Sequence, residues 1–409
     1  MSSSPAPQRF DVVIVGGGPV GMSLALALTR FMPGLSLALV DRRAFGVPQD
    51  QRASAIAAGV RRVFEALGVW GELLPGAEPV RAMRITDSGK GDISRPLFLS
   101  FEGDVVPGEP FAHLVPNRAI ATALLGALEG KVDFVAPATI TGWSGEGGAG
   151  LLTLEDGRQL AAPLIVAADG AQSGLRTRAG IGVLGHEYGQ AGLVTTIAHS
   201  LPHEGIAYEH FRPQGPFASL PLPGNRSSLV WTETLAEAER IRALPAEALG
   251  LEIEAAMGSA LGRVTPEEGL QAYPLRLQIA RSFIGPRLAL IGDAAHVVHP
   301  IAGQGLNLGL KDVAALAETI VEAMRLGLDH GAPDVLERYQ RWRRFDTALM
   351  GLVTDGMNRL FSNDVAALRA IRDLGLGMVD RMAPVKSAMI ARAAGLSGTG
   401  PRLLSGYPL

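Results

Sequence analysis

An α/β fold is predicted by three features of this 409-residue chain. Phe10 to Val15 (FDVVIV) is a nearly continuous β-branched run ending in a glycine turn and a Leu/Ala-rich stretch, and a second apolar run, Leu35 to Val40, follows. That spacing suits a right-handed strand–helix–strand crossover. Short buried-type runs closed by an acid recur at 164–170 and 287–293, as parallel strands covered on both faces require. The segments between them alternate and carry Pro and Gly, the pattern of a more open sheet. Together they describe a discontinuous Rossmann-like nucleotide-binding domain (1–75, 113–180 and 281–344). A mixed β-sheet domain (76–112 and 181–280) is inserted into it, and a helical C-terminal region (345–409) follows.

Taken in order, the first strand leads into Gly16-Gly17-Gly18-Pro19-Val20-Gly21 and then a helix, MSLALALTR, which Pro33 and Gly34 stop. The next strand, Leu35 to Val40, ends at Asp41. The pattern loosens over 76–112, and helix character returns from Arg118 to Leu128. Asp156-Gly157 between alternating segments signals a hairpin, which feeds Leu164 to Ala168 and then Asp169-Gly170. Residues 181–280 read as sheet with one helix near 235–260, and Phe217 to Pro223 and Leu229 to Trp231 belong to that sheet. Arg287 to Ile291 is again a buried strand, Gly292-Asp293 closes it, and 304–325 is helical.

Composition narrows the function classes. Hydrophobic residues are 47% and charged residues 19%, enough apolar matter for a large core. A net charge of −3 argues against a general nucleic-acid binder, which meets phosphates with a basic surface. With no cysteine, disulfides, thiolate metal sites, cysteine nucleophiles and iron–sulfur clusters are all excluded. Redox chemistry then requires a bound organic cofactor, or a metal on nitrogen and oxygen ligands. Residues 1–9 lack the basic-then-apolar pattern of a signal peptide. No run approaches the roughly 18 apolar residues of a membrane helix, so a cytoplasmic protein is expected.

Gly16, Gly18 and Gly21 fit G-x-G-x-x-G in its full context of strand, turn and helix. The first glycine allows the turn, the second admits a pyrophosphate, and the third lets helix and strand pack closely. Asp41, 20 residues beyond Gly21, stands where an acid accepts from a ribose. Gly145, Gly147 and Gly150 fit the same pattern, but a hairpin strand follows them instead of a helix, so they read as a loop. Asp169 at a strand end is either a ligand residue or a helix cap. Ser173 is in no G-x-S-x-G elbow.

The densest segment is Ile291 to Asp312 (IGDAAHVVHPIAGQGLNLGLKD). Asp293 is placed to reach a ribityl or ribose hydroxyl. Gly303 and Gly305 let backbone amides approach a flat ligand edge, and Asn307 can donate and accept toward an imide-like edge. A helix beginning here aims its positive end at that edge. His296 and His299 lack a third partner in fixed spacing, so no metal is expected.

These residues resemble the class A flavoprotein monooxygenases of the para-hydroxybenzoate-hydroxylase fold, and within them the ubiquinone-biosynthesis aromatic hydroxylases (UbiH/UbiF-like). The resemblance rests on GGGPVG at 16–21, DQRASAI at 50–56, HLVPNRAIATALL at 113–125, ADGAQSGLR at 168–176 and GDAAHVVHPIAGQGLNLGLKD at 292–312. It implies FAD as cofactor and NAD(P)H as transient reductant. Gly16, Gly18 and Gly21 would hold the pyrophosphate and Asp41 the adenosine ribose, with Arg42 beside it and Arg52 and Arg118 along the FAD chain. Asp169-Gly170 would serve both FAD and the nicotinamide cofactor. Asp293 would bind the ribityl side, and Gly303, Gly305, Leu306 and Asn307 would embrace the flavin ring. Pro300 would place a backbone carbonyl beside the reactive flavin face, with His299 next to it.

The implied reaction is hydroxylation, by O2 and NAD(P)H, of a polyprenylated phenol or benzoquinol intermediate of ubiquinone biosynthesis. Phe217, Leu220, Leu222 and Trp231 of the inserted sheet are then candidates to cover the ring, the alternative being core packing. The lipid substrate implies peripheral contact of the helical tail with the inner membrane or with ubiquinone-biosynthesis proteins, the alternative being packing on the FAD domain. Two other readings stand beside this one: a class A hydroxylase of a soluble aromatic compound, and a flavin-binding assembly subunit without turnover.

Overall fold

The computed structural model describes residues 6–49, 52–87, 97–106, 108–362 and 400–409. Most of the helical tail expected beyond 345 therefore lies outside the described residues, which carry one long helix there, Pro333–Phe361.

The fold is α/β. Its nucleotide sheet has six strands in the order Asp133–Val135, Leu37–Val40, Val12–Val15, Leu164–Ala167, Leu288–Leu290 and Ile284–Gly285. The first five run parallel and the last antiparallel. Every residue of the three central strands 12–15, 37–40 and 164–167 is buried, which is why their sequences show no polar alternation. Helices Pro19–Phe31 and Gln304–Arg325 cover this sheet and pack on each other. They pass closely at Gly309, where a Cβ would meet the Val20 side chain at 2.6 Å.

The second sheet has nine strands, with Ile206–Phe211, Phe217–Leu222, Arg226–Thr234, Val183–His199 and Gln271–Ala280 side by side. It is mixed: Ile206–Phe211 runs parallel to Ala82–Asp87 while the other neighbours named are antiparallel. One face buries Leu193, Phe217, Leu229 and Trp231 against helices Leu235–Arg242 and Ala246–Met257. The sequence pattern suggested a single helix here. Pro245 divides it, because proline has no N–H to donate and starts a new helix instead. A small three-stranded sheet is made of Ala53–Ala57, Ala112–Pro116 and Glu78–Val80, whose strands are interleaved in sequence with those of the two large ones. Gly145 and Gly147 lie in the turn of the hairpin Ile140–Ser144/Gly150–Leu154.

A buried polar network fixes the end of the nucleotide sheet. Asp312 accepts from Arg343 Nε at 2.7 Å and from the Gly292 amide at 2.9 Å, and lies 2.6 Å from His296 Nε2. Burial alone would raise the Asp312 carboxyl, but His296 and Arg343 hold it below the usual range. Among the described residues no helix is long and apolar enough to cross a membrane, and no three metal-ligating side chains converge.

Candidate functional site

A cavity of about 630 Å³ lies between the glycine loop, the 291–306 segment and the exposed face of the nine-stranded sheet. Its construction begins at the glycines. Gly16 has φ +122°, and a Cβ there would stand 2.1 Å from the Ala168 carbonyl oxygen. A Cβ on Gly21 would stand 2.1 Å from the Gly16 carbonyl oxygen. Both glycines therefore let chain pack on chain. Gly18 differs: a Cβ would meet nothing within 4 Å, and the residue lines the cavity. A helix N-terminus leaves its first N–H groups without carbonyl partners, so this loop offers donors and room in one place, as a pyrophosphate needs.

Asp41 lies beside that loop. Its Oδ2 accepts from the Gly17 amide at 2.7 Å and its Oδ1 from the Arg43 amide at 2.8 Å. A carboxylate retains further lone pairs for a ligand hydroxyl. Arg42 and Arg118 are exposed and outside the cavity lining, whereas Arg52 lines it and lies over the Tyr273 ring at 4.9 Å. Asp169 accepts the Leu175 amide through Oδ2 at 3.2 Å, while its Oδ1 is buried without a partner; Gly170 and Ala171 beside it line the cavity.

Asp293 also lines the cavity. It is reachable by solvent through the cavity yet surrounded by protein, and this surround raises its carboxyl above the usual range, while His296 and Arg52 pull it back. Pro300, Ile301, Gly303, Gly305 and Leu306 form the adjacent wall. The Pro300 carbonyl accepts the Gly303 amide at 2.9 Å. Gly303 then takes φ +61° to start the long helix, and a Cβ on Gly305 would meet open space.

Two residues of this segment do something other than touch a ligand. Asn307 is 1% exposed, donates to the Ala55 and Gly303 carbonyls at 2.7 and 3.1 Å, and accepts the Ala57 amide at 3.0 Å. Its amide clamps strand Ala53–Ala57 to the helix start, and so shapes the wall from behind instead of meeting an imide edge. His299 is fully buried behind Pro300, outside the lining. Both of its ring nitrogens are unpartnered, its ring meets Tyr188 edge-on at 5.1 Å, and burial lowers its pKa to about 4 despite Asp355. A catalytic role at the cavity does not fit that position.

The floor is one face of the nine-stranded sheet. Strand alternation puts Ala207, Glu209, Ala218, Leu220, Val230, Thr232, Gly192 and Val194 on it. Of the sequence-stretch candidates, Leu220 lines the cavity and Leu222 packs just beyond, with Val80 and Leu114. Phe217 and Trp231 are corrections. They are cross-strand neighbours on the opposite face, 5.5 Å apart between ring centroids, inside the helix-covered core. FASLPL is apolar at both parities, so its sequence does not reveal which set faces the cavity.

Sequence reasoning missed Glu209 and Thr232 on the floor, and Met83, Phe111 and Tyr273 around it. Glu209 is 8% exposed, and burial pushes its carboxyl up to about 7. The only advance signal was its place in a strand, YEHF, whose alternation leaves both faces ambiguous.

The glycine loop with space at Gly18, the second open glycine at Gly305, the cavity-facing Asp293 and the orphaned Asp169 oxygen fit an elongated dinucleotide whose flat end meets Pro300–Leu306. Comparison with known proteins agrees. A model of the FAD binding domain matches residues 9–348. The chain is 44% identical to ubiquinone hydroxylase UbiL of Rhodospirillum rubrum, over 99% of this chain and 94% of that protein. It is 33% identical to 3-demethoxyubiquinol 3-hydroxylase of Escherichia coli, over 95% and 99%. The crystal structure of p-nitrophenol 4-monooxygenase PnpA from Pseudomonas putida has the same fold (TM-score 0.81, 20% identity, 96% of this chain and 99% of that one).

Proposed function

The chain belongs to the FAD binding domain family, and from that premise we propose that it hydroxylates the aromatic ring of a polyprenylated phenol on the route to ubiquinone, using NAD(P)H and O2. It is a flavin-dependent monooxygenase with FAD as cofactor. The observation that carries the substrate reading is the cavity itself. One wall is the Pro300–Leu306 loop that suits a flavin, and the facing floor is apolar apart from Glu209 and Thr232.

The chemistry that bound FAD supplies is reduction by NAD(P)H followed by activation of O2. This chain's residues do the rest. Gly16, Gly18 and Gly21 would seat the pyrophosphate, Asp41 the adenosine ribose and Asp293 the ribityl chain. The Gly303–Leu306 backbone would face the ring edge. The start of helix Gln304–Arg325 favours negative charge there by about 0.3–1 kcal/mol, up to about 2 when partly buried. Met83, Phe111, Leu114, Ala207 and Leu220 would keep water from the reacting ring, which protects activated oxygen from wasteful decay.

A prenylated ring would be met where lipid is. The outward Phe345 and Leu352 of helix Pro333–Phe361, 73% and 69% exposed, support peripheral contact with a membrane or a pathway protein. The test is turnover of FAD-loaded protein with NAD(P)H, O2 and a short-chain 2-prenylphenol. Substrate-stimulated NAD(P)H oxidation with one oxygen atom gained by the phenol is expected. No stimulation by any phenolic precursor would favour the assembly-subunit reading, and turnover of unprenylated phenols alone would favour the soluble-substrate one.

A further inference from the structure

Among the groups on the cavity floor, Glu209 is the one carboxylate. In the cross-strand row Ile85–Glu209–Ala218–Val230–Val194 it is the only polar member. Its neighbours along the cavity face are Ala207 and, two residues on, Phe211, which packs with Ile301 next to Pro300. Glu209 therefore stands two residues, roughly 7 Å, along its strand from the phenylalanine that packs on the wall assigned to the flavin. No side-chain hydrogen bond or ion pair to a described residue is found for it, and its oxygens are not sealed in: they face the cavity. A buried carboxyl held without a partner is costly to the fold, and a ligand hydroxyl is the complement this one lacks.

We propose that Glu209 recognises the ring hydroxyl of the substrate, accepting its hydrogen bond and taking its proton as oxygen is transferred. This rests on the phenol-hydroxylase reading above. The phenolic O–H bond breaks and a carboxyl O–H bond forms. The electron pair left on the phenolic oxygen flows into the ring and enriches the carbons ortho and para to it, one of which bonds to the oxygen atom derived from O2. When that carbon then loses its hydrogen as a proton to solvent and aromaticity returns, Glu209 gives its proton back to the original oxygen. The oxidant is O2, whose second oxygen atom leaves as water, and the two electrons this needs come from NAD(P)H, as in the reaction proposed above. The site is accordingly specific for rings that carry a free, neutral hydroxyl. A carboxyl that exchanges its proton near neutral pH suits general-base work at physiological pH, and burial places Glu209 there. The other ionisable groups that face this cavity are Asp293, Arg52, Arg276 and Tyr273, while Ile85 and Ala218 are the lateral neighbours of Glu209.

The test uses FAD-loaded protein, with binding read from the perturbation of the flavin spectrum. The wild type is titrated with a 2-prenylphenol and with its O-methyl ether, which has no proton to donate. At least ten-fold tighter binding of the phenol is expected, and Glu209→Gln is expected to lose that preference while still binding the ether. In turnover, Glu209→Gln is expected to lower kcat on the phenol ten-fold or more, to release hydrogen peroxide in place of product, and to remove the ionisation near pH 7 from the kcat/KM profile. Glu209→Asp is expected to restore part of the phenol preference. Equal binding of phenol and ether by the wild type overturns the proposal without any variant, as does a Glu209→Gln enzyme with unchanged preference and pH profile. A wild type that hydroxylates the phenol alongside either result leaves the phenol-hydroxylase reading standing. A wild type inert to all phenols removes both.

Discussion

Replacing Gly18 and Gly21 separately by alanine splits cofactor binding from folding. At Gly18 the backbone has φ −77° and ψ 172°, which alanine adopts freely, and a Cβ meets nothing within 4 Å. The stiffer unfolded chain gives the alanine variant about 0.4–1 kcal/mol. Alanine is a poorer helix cap than glycine by a comparable amount, so the apo-protein should melt within about 1 kcal/mol of wild type. FAD binding should suffer, because the methyl group enters the space through which a phosphate reaches the loop amides. Loss of one charge-assisted hydrogen bond costs about 1.5–3 kcal/mol, or roughly 10- to 150-fold in Kd. Gly21→Ala acts the other way round. Its Cβ lies 2.1 Å from the Gly16 carbonyl oxygen, where ordinary contact begins at 3.4 Å, so helix Pro19–Phe31 must move off its sheet by more than 1 Å. Overpacking of this kind costs about 1–3 kcal/mol before any cofactor is added. Thermal melts of both apo-proteins and FAD titrations by flavin fluorescence decide the matter. A Gly18→Ala protein that binds FAD as tightly as wild type would refute the assignment of this loop to the pyrophosphate.

His299→Leu should keep turnover within a few-fold, because the ring lies outside the cavity. It should also remove part of the acid-side loss of stability. A base whose folded pKa is lowered to about 4 from 6.5 contributes stability that is present above pH 6.5 and lost as the pH falls toward 4. Melting temperatures from pH 4 to 7.5 read this slope, and an unchanged slope with activity lost a hundred-fold would return His299 to the catalytic list. Leu220→Phe should raise KM for the aromatic substrate several-fold by filling the floor, whereas Phe217→Leu should leave KM unchanged and lower stability by about 1 kcal/mol or more; steady-state kinetics with chemical denaturation distinguish them, and the reverse pattern would mean the sheet faces the other way.

Much of the nucleotide-binding half was legible because backbone geometry dictates its residues. Gly16 and Gly21 are glycine because carbonyl oxygens occupy the places their side chains would take, and a central strand covered on both sides needs the unbroken run VVIV. The same logic reads Gly145, Gly147 and Gly150 as a loop, and the first two lie in a hairpin turn. The floor was illegible for a matching reason. Strands there are apolar at both parities, one set meeting helices and the other lining the cavity, so Phe217 and Ala218 are equivalent in the sequence. Glu209 has no motif, and an acid in a strand usually marks a solvent face; only the chain packed above it reveals the enclosure. Asn307 was picked out as polar and well placed, but whether an amide turns to a ligand or to the Ala55 carbonyl depends on a strand 250 residues earlier.

The slot at the heart of this molecule has its two rims at Gly18 and Leu306. A ribosome that has made the first rim must still add about seven tenths of these 409 residues before the second emerges. Until then the newborn chain presents half a socket. With FAD seated between these rims as proposed, cofactor loading is a late event in biogenesis, and a truncation product that ends short of Leu306 is expected to be colourless.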